Sequence, residues 1–301
     1  MDHPCPLAFG TMQFGGTADE GASRAMFETC RAAGVTHFDT ATGYADGRSE
    51  SLLGSFAAAE RENLFIATKV GYDSGQPAVL QAQFDASLQR LRMDHVDLLY
   101  LHRFHPDTPL EETLRFFADQ QAAGKIRQIG LSNFPAWAVM KAQAVAARLG
   151  TRIDAIQPMY NLVKRQAEVE LLPMAMDQRI AVYPYSPLGG GLLSGKYAAG
   201  GNGRLVSNPQ YALRYAPQVM HDAALALSEL AAELGTRPAT LAVAWVMAHP
   251  ARPVPLTSAR DAAQLAPSLA ALDFQMTPAL YIRLNALAPA PPPATDRLEE
   301  A

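Results

Sequence analysis

The chain has only two cysteines in 301 residues, Cys5 and Cys30, and they stand in no metal-ligating spacing. Two such thiols supply neither a disulfide framework nor a zinc site and fit a reducing compartment. Long hydrophobic runs are also missing. No uncharged apolar stretch reaches the ~18 residues that a membrane span needs, so no membrane partner is expected. The opening Met1-Asp2-His3-Pro4 lacks the basic and apolar segments of a secretory signal. Neither charge sign is in large excess: 25 Lys and Arg against 29 Asp and Glu leave a net charge of −4. A general affinity for nucleic acid is not expected from that balance. A soluble, cytoplasmic protein is the expectation.

What is present is an alternation of apolar runs with amphipathic segments. Strands are expected at Leu7–Met12, His37–Ala41, Leu64–Val70, Asp97–His102, Ile126–Ser132, Ala155–Pro158, Ile180–Tyr185 and Val254–Thr257. Helices are expected to start near Asp19, Ser49, Pro77, Leu110, Pro135, Gln166, Pro217 and Asp261, with stops at Gly34, Gly124, Gly150 and Gly235. Eight strand–helix pairs predict a parallel sheet with crossover helices, closed as a (β/α)8 TIM barrel of the α/β class. The expected organisation is one domain over residues 1–301, with the barrel core at about 7–272. Residues 273–301 form a C-terminal extension with a proline-rich tail, Pro289-Ala290-Pro291-Pro292-Pro293. A long irregular segment is expected from about Gly189 to Tyr215.

Active sites of such barrels lie at the C-terminal ends of the strands. Those ends carry Thr11-Met12, Asp39, Lys69, His102, Ser132-Asn133, Gln157, Tyr185-Ser186 and Thr257-Ser258, and Tyr44 follows shortly after Asp39. Ser, Asn and Gln suit an uncharged amide such as a nicotinamide carboxamide. Asp39, Tyr44, Lys69 and His102 suit proton transfer. Reducing a carbonyl needs a hydride on carbon and a proton on oxygen. A free tyrosine titrates near ~10, and a close ammonium lowers that value. Lys69 is therefore expected to tune Tyr44, Asp39 to hold Lys69, and His102 to orient the carbonyl. Alone, an Asp39–Lys69 pair is equally compatible with a purely structural ion pair. His102 and His105 lie in a loop without further ligands, so no metal is expected.

Between Gln178 and His221 there is no Asp or Glu, but there are Arg179, Lys196, Arg204 and Arg214. A basic segment in an acidic protein points to a phosphate-bearing ligand. Gly189-Gly190-Gly191 would let backbone approach a pyrophosphate, although a Rossmann fingerprint is excluded because no acidic residue follows at the right spacing. Arg260 adds a basic point after the last strand. Phe14, Tyr72, Phe104 and Tyr160 are candidates for an apolar substrate wall, or equally for plain packing.

Several ordered segments resemble the aldo-keto reductases. They are Phe9-Gly10-Thr11-Met12, His37 through Tyr44, Gly47-Arg48-Ser49-Glu50, Ile129 through Phe134, Gln157 through Leu162 and Tyr185 through Tyr197. The local style is similar to the bacterial branch near the potassium-channel β-subunit group. The resemblance implies an NADPH-dependent barrel enzyme that reduces a small-molecule aldehyde or ketone, with NADH as a possible substitute. It implies Tyr44 as proton donor, with Ser132, Asn133 and Gln157 on the carboxamide and Tyr185 stacked on the nicotinamide. Ser186, Leu188 and Lys196 are implied at the pyrophosphate, and Arg260 and Gln264 at the adenosine end. Thr11, Met12, Gly190, Arg204 and Ser258 complete the expected cofactor contacts. The chain departs from the family pattern at Pro267-Ser268, where a Glu-Asn pair often stands. Two other readings share these residues: a non-catalytic nicotinamide-sensing regulatory subunit, and a Schiff-base lyase with Lys69 as nucleophile. The substrate and the oligomeric state are not readable from the sequence.

Overall fold

The computed structural model describes residues 5–197, 200–295, 297 and 299; Met1–Pro4 and parts of the C-terminal tail lie outside them. Strand β1 (Ala8–Gly10) is followed by helix α1 (Glu20–Ala32), β2 (His37–Asp39) by α2 (Arg48–Ala57), and β3 (Phe65–Val70) by α3 (Pro77–Leu91). Then come β4 (Val96–Leu101) with α4 (Leu110–Ala122), β5 (Ile126–Ser132) with α5 (Ala136–Arg148), and β6 (Ala155–Gln157) with α6 (Leu171–Gln178). After β7 (Ala181–Val182) stand the short α7 (Arg204–Ser207) and α8 (Pro209–Arg214), then α9 (Gln218–Glu233) and α10 (Pro238–Met247). Strand β8 (Leu256–Thr257) leads to α11 (Ala262–Leu269) and α12 (Pro278–Asn285).

All neighbouring strands pair in parallel, in the order β7-β6-β5-β4-β3-β2-β1-β8. The two ends of that sheet meet: the Val254 N–H donates to Val182 O and the Leu256 N–H to Pro184 O, both at 2.9 Å. These bonds close the sheet into the (β/α)8 barrel. Strand β7 is shorter than the expected Ile180–Tyr185 because Pro184 has no N–H to give the ladder. Its backbone still runs alongside β6, with Tyr185 N–H donating to Pro158 O at 3.0 Å.

Strand parity sorts the side chains into two cores. Ala8, Ala67, Leu98, Tyr100, Ala155, Tyr183 and Leu256 pack together as one cluster. Their neighbours one residue away, such as Phe9, Ile66, Leu99 and Ile156, join the larger cluster shared with the helices. Because the strand period is 2, continuing the inner rows by two residues reaches Asp39, Lys69, His102, Ser132, Gln157, Tyr185 and Ser258. The barrel interior and the polar rim are thus the same rows of residues read upward. Gly130 shows how tight this interior is: a Cβ there would lie 2.4 Å from Cδ1 of Tyr100.

Helix ends follow the expected chemistry. Asp19 caps α1 by accepting from Ala22 N, Asp261 caps α11 by accepting from Gln264 N, and Pro77 opens α3. Gly34, Gly124, Gly150 and Gly235 all take positive φ just past helices, as C-terminal stops do. One expectation is corrected. The segment from Gly189 to Tyr215 is not irregular, since it holds a 3-10 turn at Gly189–Ser194 and then α7 and α8. Asn208 explains α8, its side chain accepting from Gln210 N and Tyr211 N ahead of Pro209. No helix among the described residues is long and apolar enough to cross a membrane.

Candidate active site

Asp39 ends β2 and Lys69 lies near the end of β3, and both are buried. The Lys69 ammonium donates to Asp39 Oδ1, to Thr40 O at 2.6 Å and to Tyr44 OH at 3.4 Å. The other Asp39 oxygen accepts from Gln157 Nε2 at 3.0 Å. Burial works against the charge on Lys69, but Asp39 and then Tyr44 hold its pKa above the ordinary lysine value. Burial also lifts Asp39, against the pull of Lys69 and Gln157.

Tyr44 is half-buried, on the turn after β2. Burial is the largest influence on its hydroxyl and raises its pKa; Lys69 pulls it down and Asp39 adds to the rise. The ammonium acts in the expected direction, yet burial outweighs it, so the phenol is protonated at neutral pH. The turn is held from several sides. Thr42 N donates to Lys69 O at 3.1 Å and Tyr44 N to Ala41 O at 3.1 Å. Ala45, Asp46 and Gly47 then take φ of 49°, 55° and 84° in succession. Two consecutive non-glycine residues in this region are uncommon and cost roughly 1–2 kcal/mol each.

Arg90 of α3 braces this turn. Its guanidinium donates to Glu50 Oε2 at 2.8 Å and to Thr42 Oγ1 at 2.7 Å, and its stem fills the space a Gly47 Cβ would need, 2.6 Å from Cδ. Glu50 is buried and also accepts from Thr68 Oγ1 at 2.6 Å. Ser49 bonds Thr11 Oγ1 at 2.8 Å and Thr40 Oγ1 at 3.0 Å. Sequence reasoning noticed the segment from Gly47 to Glu50 without assigning it a role and missed Arg90. No signal in the sequence marked Arg90, because the burial of Glu50 becomes visible only in the folded chain.

The His102 ring lies 6.1 Å from the Tyr44 ring and 5.1 Å from that of Tyr72. Burial, then Lys69 and Arg103, push its pKa down to about 3, so it is a neutral imidazole. The His102 carbonyl accepts from Asn133 Nδ2 at 3.0 Å, and Asn133 Oδ1 accepts from Tyr185 OH at 2.7 Å. Ser132 Oγ donates to Gln157 O at 3.1 Å. Asn133 and Ser186 both take left-handed backbone, with φ of 60° and 59°. Ser132, Asn133, Gln157 and Tyr185 are thus brought together beside the Asp39–Lys69 pair. Thr11 is buried and tied to Asp39 O at 3.2 Å, whereas Met12 stays exposed at the rim.

On the far side, Gly190 and Gly191 turn at φ 67° and 99° after the half-buried Leu188. Lys196 folds over them: a Cβ on Gly191 would lie 2.9 Å from its Nζ, and one on Gly203 2.4 Å. Burial, Arg260 and then Arg204 lower the Lys196 pKa. None of these three cations has a carboxylate ion pair among the described residues. A self-repelling cationic cluster over a glycine cradle fits a phosphate group. Ser258 and Arg260 are exposed at the same rim; Gln264 Oε1 accepts from Arg260 N at 2.8 Å.

Of the four candidate wall residues, two take the packing alternative. Phe14 is fully buried, its ring 5.6 Å from Phe9 and 5.9 Å from Phe56. Tyr160 is fully buried against Trp245, with its hydroxyl on Glu168 at 2.6 Å. Both belong to the sheet–helix core, because their rings turn outward from the barrel. Tyr72 remains at the mouth, while Phe104 packs on Phe134 and the exposed Trp137. His105 does not join His102, since its Nε2 is bonded to Gly71 O at 2.9 Å.

Comparison with known proteins identifies the family. The profile of the Aldo/keto reductase family matches residues 6–288. The chain belongs to the aldo/keto reductase family. It is 32% identical to the "Uncharacterized oxidoreductase YrpG" of Bacillus subtilis (strain 168), over 95% of this chain and 92% of that one. It is 31% identical to the "Probable voltage-gated potassium channel subunit beta" of Oryza sativa subsp. japonica, over 96% and 94%. The "Aflatoxin B1 aldehyde reductase member 2" of Mus musculus is 38% identical over 62% of this chain and 53% of its own. This aldo/keto reductase is therefore an oxidoreductase, and the general chemistry of its family is nicotinamide-dependent reduction of small-molecule carbonyls.

Proposed function

We propose that the protein reduces an aldehyde or ketone to an alcohol with NADPH, and that Tyr44 is the proton donor. The observation that carries this reading is the buried Lys69 ammonium, held by Asp39 and bonded to the Tyr44 hydroxyl. The phenol is protonated in the resting site, and the fixed ammonium stabilises the tyrosinate that forms as its proton moves to the carbonyl oxygen. Neutral His102 donates to the same oxygen and orients it. Asp39 is a positioning residue that keeps Lys69 charged, an arrangement that opposes a Schiff-base role for Lys69.

The residues present fit the nicotinamide cofactor. Ser132, Asn133 and Gln157 would hold its carboxamide and Tyr185 its ring, with Thr11 and Met12 at the rim. Ser186, Leu188, Gly190, Lys196 and Arg204 would hold the pyrophosphate, and Ser258, Arg260 and Gln264 the adenosine end with its phosphate. When bound, the cofactor supplies the hydride. The test is NADPH and NADH oxidation against a panel of aldehydes and ketones, with Tyr44→Phe alongside. Turnover that falls by roughly 10²–10⁴-fold in the variant while NADPH still binds supports the reading. Undiminished turnover in the variant overturns the role of Tyr44. Tight NADPH binding with no turnover of any carbonyl points instead to a regulatory subunit.

A further inference from the structure

We propose that the buried amide of Asn161 is a positioning residue of the glycine cradle and sets its affinity for the phosphate-bearing cofactor without touching it; this rests on the reductase reading above. Asn161 lies on the loop after β6 and is fully buried. Its backbone closes a turn, Asn161 N donating to Lys164 O at 3.3 Å and Lys164 N to Asn161 O at 2.9 Å. Its side-chain Oδ1 accepts from Val163 N at 3.1 Å. A backbone N–H can only donate, so the amide oxygen must face Val163. That turns Nδ2 towards two acceptors on other elements, Ser186 O at 2.9 Å and Tyr215 OH at 3.4 Å.

Both acceptors belong to the cradle. Ser186 holds a left-handed backbone, φ 59°, which is unfavourable for a residue with a side chain. Its carbonyl also accepts from Gly189 N at 2.9 Å, so it fixes where the Gly189–Gly191 turn begins. Tyr215 directly follows α8, and its ring lies under that turn, 3.4 Å from where a Gly189 Cβ would stand. Its N–H donates to Tyr211 O at 3.1 Å. The Tyr211 ring in turn lies against Gly190, 2.7 Å from a Cβ there, and its hydroxyl accepts from Arg204 at 3.3 Å. One buried amide thus ties the start of the glycine turn to the helix that carries Tyr211, on which Arg204 rests. Lys196 and Arg204 repel one another, so neutral contacts beneath them must hold their spacing. A cradle fixed before the ligand arrives loses less freedom on binding.

The experiment titrates NADPH by fluorescence into the full chain and into Asn161→Ala and Asn161→Asp, with steady-state rates alongside. Asn161→Asp keeps the oxygen that Val163 N–H needs and removes the donor that holds Ser186 O. Both variants are expected to bind NADPH about tenfold more weakly. The KM for NADPH is expected to rise by the same factor while kcat changes by less than about twofold. A lowered melting temperature with unmoved NADPH affinity overturns the assignment, as does a kcat that falls as far as KM rises. Tyr215→Phe keeps the ring under Gly189 and loses only the hydroxyl, and an about threefold weaker affinity is expected. Should neither Asn161 variant fold, an unmoved affinity in Tyr215→Phe overturns the assignment. Wild-type protein that binds NADPH but turns over no carbonyl overturns the reductase reading instead and leaves the affinity comparison standing.

Discussion

The two sides of the barrel mouth are built on opposite plans. On the β2–β3 side, Lys69, Asp39 and Glu50 are buried, and each charge is matched: Lys69 with Asp39, and Glu50 with the half-buried Arg90. On the β7–β8 side, Lys196, Arg204 and Arg260 stand close together on turns and short helices, with no carboxylate ion pair among the described residues. The first plan suits a group that must not move during proton transfer, because an unmatched charge in a buried place is very costly. The second suits a group that waits for a ligand to bring the opposite charge. Rigid placement comes from strands and paired charges, while affinity comes from leaving charge unsatisfied where solvent can still reach it.

The largest expected effect lies on the matched side. Lys69→Met leaves Asp39 buried without its partner and removes the cation beside Tyr44. Turnover should fall by roughly 10²–10⁴-fold and stability by about 3–5 kcal/mol, read by steady-state rates and urea denaturation. A variant that keeps both values would end the distinction between the two sides. Arg90→Ala should cost about 3 kcal/mol in the same denaturation assay, since Glu50 is left buried and unpaired. It should also lower kcat, because the Tyr44 turn loses its brace; stability loss with unchanged kcat would show that the brace has no catalytic consequence.

The unmatched side should respond in binding rather than folding. Arg260→Ala is expected to weaken NADPH about tenfold while changing NADH by less than about twofold, measured by fluorescence titration. Equal loss for both cofactors would move Arg260 away from the adenosine phosphate. The smallest effect concerns His102. Its folded pKa of about 3 lies below the ordinary histidine value, so the folded state binds fewer protons than the unfolded one. The stability it contributes is fully present above about pH 6.5 and declines as pH falls towards 3. Between pH 7 and 5, His102→Gln should therefore lose less stability than the wild type. An equal loss in both would indicate that His102 titrates normally.

Much of the candidate site was legible in the chain because its residues break a rule visible in sequence. Asp39, Lys69 and His102 are polar groups ending apolar runs, and period 2 places them with the inner rows of the barrel. The brace was not legible, since Arg90 is an ordinary surface-type residue of a helix until α3 is laid against α2. Nor were the places of Phe14 and Tyr160, because a buried aromatic beside a strand end can turn towards the mouth or towards the helices. The short helices α7 and α8 were hidden by a composition of Gly, Asn, Ser and Pro that also describes loops.

What the sequence determined by itself is the alternation of strands and helices, hence the barrel, and the kind of chemistry its strand ends can do. These follow from local periodicity and residue type. What only the tertiary structure decided is the balance of forces on each group. Burial outweighs the ammonium at Tyr44, keeping the phenol protonated, and the bond from Asn161 to Ser186 depends on two loops far apart in the chain. Desolvation and charge–charge distance are properties of the assembled barrel, so no stretch of sequence contains them.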